Sequence, residues 1–391
     1  MTLQELMTRW NGYQIEMRRW FHQHPEESMK EVRTAERIRA ELDRAGIPWR
    51  PCGLGTGTLA RIEGAQPGRT ILLRGDIDAL SVNEETGLPY ASEVPGVMHA
   101  CGHDCHISML LTAAMIVNEI RDRLKGTIVF AFQPAEELGL GARAMIEEGA
   151  LEGVDACFGM HVWSDYPAGT VALRKGPMMA SGDQFKIHVR GKSTHGAQPQ
   201  LGADALIMGA AIAQNLQTIV SRETYPGDTA VVTVGKFHSG TRFNVVAGTA
   251  ELEGTTRTFS PAVRDRFEEQ ITRIARSTAE AMRGTADVEY LRIVPVTVND
   301  PGMIDVVTGA AGKIFGDKGV IEADLQMGGE DFAFYQEKVP GAMVLLGVRN
   351  EACDAVWPQH HGCYKVDESV LVKGAALHVQ TALDFLGVDL Q

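Results

Sequence analysis

Nine residues constrain this chain more than any others. Met98-His99-Ala100-Cys101-Gly102-His103-Asp104-Cys105-His106 places two cysteines, three histidines and an aspartate in one short stretch. Thiolate sulfur and imidazole nitrogen are the donors that borderline-soft divalent metals take, and a Cys-x-His pair offers both from a single turn. An apolar run follows at once (residues 107–117), which predicts a strand-to-helix turn with a buried helix behind it, from about 106 to 121.

Other strands end in titratable groups. Residues 70–74 are nearly all apolar, as a strand buried on both faces should be, and they empty into Gly75-Asp76-Ile77-Asp78. Residues 126–132 read the same way and run into Gln133-Pro134-Ala135-Glu136-Glu137. A strand over 155–160 is followed directly by His161. In open α/β sheets ligands gather beyond the carboxyl ends of strands, so these groups lie where chemistry is expected. Neighbouring carboxylates in an extended segment point in different directions, so one can bind a metal while the other moves protons. The late pair His360-His361 could supply one more ligand.

A chain of 391 residues is long for one core, and two domains are expected. Helices are predicted over 2–22 and 29–45, the first ending at His24-Pro25. From 181 the texture alternates as half-exposed antiparallel strands do. Strands at 184–190, 230–237, 249–258 and 286–298 are separated by helices at 203–220 and 261–282, and this β-α-β-β-α-β order is a ferredoxin-like unit. Residues 180–296 are therefore read as a domain inserted into another made of 1–179 and 297–391.

The formal net charge of −13 argues against a nucleic-acid partner, because phosphate binding needs a basic surface. No basic segment followed by an apolar core opens the chain, and no apolar stretch approaches the ~20 residues that span a bilayer. Six scattered cysteines lack the density of a disulfide scaffold. The expectation is a reduced, cytoplasmic protein with no membrane partner.

The ordered motifs FHQHPE, RGDIDAL, EETGLPYAS, GVMHACGHDCH, QPAEE, GMHVW, GKSTHGAQPQLGADA, FNVV, GTTRTF and MGGEDFAFY resemble the aminoacylase and carboxypeptidase-G-like metallopeptidases. Within them they resemble the amidohydrolase branch of hippurate hydrolases, auxin-conjugate hydrolases and N-acyl-amino-acid deacylases. The resemblance covers essentially the whole chain. It implies an α/β fold in two domains, a mixed-sheet metal-binding domain and an inserted lid or dimerisation domain. It also implies a homodimer or homotetramer.

The reaction implied is cleavage of the amide bond of N-acyl-L-amino acids by a metal-activated water. Two divalent ions (Mn2+, Zn2+, Co2+ or Ni2+) would be held by Cys101, His103, Glu137, His161 and His360, with His361 as the fallback for the last. Glu136 would be the general base and Asp78 would orient a ligand histidine. His195 would polarise the scissile carbonyl, across a dimer or within one chain, and Asn244 and Arg257 would grip the substrate carboxylate. Cys105 stands where the family commonly has glycine and reads as packing. Gly362 replaces the usual proline after the late histidine, and Ala247 the usual proline after the Asn-Val-Val run.

Two other readings fit the residues taken alone. Cys101 could be a thiol nucleophile with a histidine base, a chemistry that needs neither Glu137 nor His360. Alternatively, the cluster could bind metal without catalysis, which leaves Glu136 without a task.

Overall fold

The computed structural model describes residues 2–390, and the chain divides into two compact units. The first holds residues up to Gly176, Val298–Asp324 and Asp331 onward; the second holds Pro177–Thr297 and Leu325–Glu330.

An eight-stranded mixed sheet organises the first unit. Its order is Trp49–Pro51, Thr58–Glu63, Lys125–Gln133, Gln66–Asp76, Ala156–Pro167, Gly341–Arg349, Val171–Leu173, Val320–Glu322. The four middle strands run parallel and are the continuous apolar runs of the sequence, buried along most of their length. Helices Leu3–Gln23, His103–Glu119 and Leu371–Leu386 pack on one another and cover this sheet. Every residue from His103 to Val117 is buried, which explains a helix with almost no polar face. The short strands Trp49–Pro51, Val171–Leu173 and Val320–Glu322 have three residues each and carry no readable period in the sequence.

The helix after the Cys101 turn begins earlier than predicted, at His103, because Gly102 lets the chain turn in the left-handed region at φ +90. A Cβ on Gly102 would stand 2.5 Å from Val162 Cγ2 and 2.9 Å from Tyr364 Oη, so the turn is also too crowded for a side chain. His161 does not end its strand. Ala156–Pro167 continues past it, but pairing with Gln66–Asp76 stops at Arg74 opposite Gly159, so His161 overhangs the end of its neighbour.

The second unit is an antiparallel sheet ordered Ala230–Ser239, Thr249–Thr258, Ser181–Arg190, Thr285–Val294. Helices Ala205–Asn215 and Pro261–Ala281 join its strands in the order β-α-β-β-α-β and bury Phe185, Ile187, Met208, Ile212, Leu252 and Phe267 with it. Leu325–Glu330 also belongs here rather than with the first unit, where the sequence placed it: Gln326 N donates to Met178 O and Ala180 N to Gln326 O, both at 2.9 Å. Among the described residues all six cysteines are unpaired, and no helix is long and apolar enough to cross a membrane.

Asp183 anchors this unit from within. Its buried carboxylate accepts Arg264 Nε at 2.9 Å and Nη2 at 2.8 Å, Tyr290 Oη at 3.1 Å and Ile293 N at 3.0 Å. Removing one partner of a buried pair leaves a charge with no compensation. Arg264→Met should therefore destabilise the unit by about 3–5 kcal/mol, read as an earlier urea transition in far-UV circular dichroism. An unchanged midpoint would show that the pair contributes nothing.

Candidate metal centre

Each element of the centre comes from a strand end or a tight turn of the first unit. Asp78 follows the strand Gln66–Asp76, and its backbone and side-chain oxygens accept His103 Nδ1 at 2.9 and 3.3 Å. Its other oxygen accepts Ser28 Oγ at 2.6 Å and Glu137 N at 3.1 Å. Burial pushes this carboxyl up, yet the bonds from His103 and Ser28 hold it below the usual carboxylate range. Asp78 thus fixes both the tautomer of His103 and the backbone of Glu137.

The His103 Nε2 that this arrangement exposes has no hydrogen-bond partner, nor has Glu137 Oε1, 3.9 Å away; both atoms are buried. Unpaired buried polar atoms are costly, and two aimed at one point mark a place where a third group belongs. Burial opposes a charge on His103, but Asp76, Asp78 and Glu137 push it up to about 10. The surroundings are built for positive charge.

Cys101 lies at the middle. Its Sγ is 3.4 Å from His161 Nε2, and donor atoms of Cys101, His103 and His161 lie within 4.8 Å of one another. A second group of the same tightness joins Cys101 to Glu137 and His360, and a third joins His103 to Glu136 and Glu137. Burial pushes the Cys101 thiol up, and Glu137, Glu136 and Asp76 push it further. A nucleophilic cysteine needs the opposite field. Burial keeps His161 well below its ordinary value and therefore neutral; its Nδ1 donates to Val162 O at 2.6 Å, leaving Nε2 as the lone pair toward Cys101.

The two late histidines part company. His360 Nε2 stands 3.5 Å from Glu137 Oε1, on a backbone held in the left-handed region at φ +65 with its N–H bonded to Ala100 O at 2.8 Å. A histidine there is strained, a condition that recurs at functional sites. His361 instead stacks on Trp357, with ring centroids 4.6 Å apart, and its Nδ1 accepts Cys363 N. Cys105 is buried in the apolar core. Sulfur, imidazole and carboxylate donors with orphaned atoms between them fit divalent ions.

Several participants carried no assigned role in the sequence. His106 Nδ1 donates to Asp76, which also accepts Arg74 Nη1 at 2.6 Å. Asp104 accepts His22 Nδ1 at 2.8 Å and faces Arg18 Nε at 3.0 Å, while His22 Nε2 reaches Glu84 at 3.1 Å. The motifs FHQHPE, EETGLPYAS and GHDCH are therefore knitted together behind the centre. An arginine at position 74, in an otherwise apolar strand, was the signal that could have revealed a buried charge network.

In the second unit, Thr194–His195 pairs with Val245–Val246, and Gly196 N donates to Asn244 O at 2.8 Å. His195 Nδ1 accepts Ala197 N at 3.0 Å, so Nε2 faces outward, and Asn244 Oδ1 is buried without a partner. Arg257 is not with them. The ribbon leaves the sheet where Thr249 pairs Arg190, whereas Arg257 pairs Gly182, roughly 26 Å further along the strand. Its Nη1 would lie 2.0 Å from a Cβ on Gly182. Within this unit Arg257 therefore lies toward the opposite end of its strand from the point where the ribbon leaves the sheet.

A profile of peptidase family M20/M25/M40 matches residues 72–384. An N-acetyl-L-cysteine deacetylase of Bacillus subtilis is 41% identical over 94% of this chain and 87% of its own length. An IAA-amino acid hydrolase of Arabidopsis thaliana is 36% identical over 96% of this chain and 86% of its own. The crystal structure of a dinuclear metal binding peptidase from the M20 family of Bacillus subtilis matches with a TM-score of 0.86 and 36% identity, covering 98% of this chain and 100% of that one. Because the profile spans most of the sequence and relatives align along nearly all of it, the chain belongs to peptidase family M20/M25/M40.

Proposed function

We propose that this protein is a binuclear metal-dependent amidohydrolase that cleaves N-acyl-L-amino acids, of the hippurate or N-acetyl type, to a carboxylic acid and a free amino acid. The observation that carries this reading is one sulfur shared by two donor groups: Cys101 stands with His103 and His161 on one side and with Glu137 and His360 on the other. Those five residues would hold two divalent ions of the Mn2+, Zn2+, Co2+ or Ni2+ kind. Such ions, when bound, lower the pKa of water and stabilise negative charge on a carbonyl oxygen. The relatives named for N-acetyl-L-cysteine and IAA-amino acid support an N-acyl amino acid as substrate.

The protein's own groups do the rest. Glu136 takes the proton from the attacking water and returns it to the leaving nitrogen, a shuttle worth roughly 10²–10⁴-fold. Asp78 keeps His103 in the tautomer that offers Nε2. His195 and Asn244 form one substrate-binding element and Arg257 a separate one. The strand order of the inserted unit supports reading it as a ferredoxin-like lid and dimerisation domain, and a homodimer could draw these elements from two copies.

Glu136→Gln should keep two metal equivalents by elemental analysis while turnover falls by roughly 10²–10⁴-fold; retained turnover would remove Glu136 as the base. Prolonged chelation should abolish hydrolysis of a mixed panel of N-acetyl, N-benzoyl and indole-acyl amino acids, followed by mass spectrometry, and added Mn2+ or Zn2+ should restore it. Activity that survives metal removal but is lost on alkylation would instead make Cys101 a nucleophile. His360→Ala should weaken metal retention, and His361→Ala should not; the reverse result would exchange their roles.

A further inference from the structure

Behind the centre, one buried hydrogen-bond chain ties the proposed general base to a proposed metal ligand. Asp331 N donates to Glu136 Oε1 at 3.4 Å. The Asp331 carboxylate, fully buried, accepts Arg74 Nη2 and Gln133 Nε2 at 2.8 Å and Ala142 N at 3.0 Å. Arg74 turns its other nitrogens to Gln133 Oε1 at 2.9 Å and to Asp76 at 2.6 Å. Asp76 accepts His106 Nδ1, so His106 Nε2 is left as the acceptor of Val162 N at 2.9 Å, and Val162 O receives His161 Nδ1 at 2.6 Å.

The parts of this chain admit little slack. A planar guanidinium that reaches two carboxylates and an amide at once fixes all three, which an ammonium on a flexible stem cannot do. The acceptor capacity of Asp331 is spent on donors from three different segments, so its own N–H is held toward Glu136. At the far end, His106 holds the Val162 N–H, and the Val162 carbonyl, which can only accept, sets which nitrogen His161 presents. Neither Arg74 nor Asp331 is among the proposed ligands.

We propose that Arg74 and Asp331 are positioning residues that hold Glu136 at one end and the His161 ligand at the other in mutual register. This inference rests on the metallohydrolase reading above. It is tested with metal-stripped wild-type protein, Asp331→Asn and Arg74→Lys, each titrated with Co2+. The d–d absorption reports the ligand set, elemental analysis the stoichiometry, and thermal melting the folded fraction. kcat and KM are then measured on a substrate that the wild type consumes.

Asp331→Asn should lower kcat per folded molecule by roughly 10–100-fold with KM within about threefold, and its Co2+ spectrum and stoichiometry should match wild type. Arg74→Lys, which keeps the charge, should lower both kcat and Co2+ affinity, because it stands between the two ends. A lower melting temperature with wild-type kcat in both variants would overturn the inference and make the pair structural. Loss of Co2+ in step with kcat in Asp331→Asn would overturn it too, since Asp331 would then serve the ligands rather than Glu136. Wild-type protein that takes up no Co2+ would overturn the parent reading and this one together, and so separates the two failures.

Discussion

Negative charge buried at the ends of parallel strands is the constraint on which this structure depends. Asp76, Asp78, Glu136, Glu137 and Asp331 converge in the first unit, and three of them are essentially inaccessible to water. An uncompensated buried carboxylate is unfavourable by several kcal/mol, so each must find a cation or a set of donors. Asp331 has Arg74, and Asp76 has Arg74 and two imidazoles. Glu137 has no arginine, only imidazoles and the Cys101 thiol, beside it among the described residues, and burial accordingly raises it. The fold satisfies its deeper carboxylates with protein groups and leaves one oxygen of Glu137 without a hydrogen-bond partner.

That division also separates the two chemistries open to Cys101. A thiol surrounded by carboxylates is pushed toward protonation, the reverse of what a cysteine nucleophile requires. The same carboxylates favour a cation, and a cation would deprotonate the thiol outright. The electrostatics that disfavour an isolated thiolate are those that favour a thiolate ligand.

Much of the first unit was legible because burial on both faces leaves a plain mark. The runs that became the buried part of Gln66–Asp76 and the strand Lys125–Gln133 contain few residues that tolerate anything but an interior. The Cys101 turn was legible because its donors are local in sequence. What could not be read was whatever depends on partners distant along the chain. Arg74 and Asp331 are separated by 257 positions and look like an ordinary strand arginine and an ordinary acidic turn. The extension of the strand beyond His161 follows from pairing with Gly341–Arg349, which no local pattern announces. The separation of Arg257 from Asn244 is a matter of sheet register, and register lies in pairings rather than in residue types.

The family resemblance was borne out across the chain, but it transmits residue identities rather than the reasons for them. His360 and His361 illustrate the difference. Both are histidines in one turn, and only the backbone distinguishes them: at φ +65 the chain sends His360 toward Glu137, while the next residue lies flat on Trp357. A left-handed non-glycine residue is sustained only if the surroundings over-determine it. Here the His360 N–H bond to Ala100 ties that strained turn to the residue before Cys101. The latest donor in the chain is therefore registered against the earliest through one main-chain hydrogen bond, so a substitution that relaxed the turn would displace His360 without altering any donor.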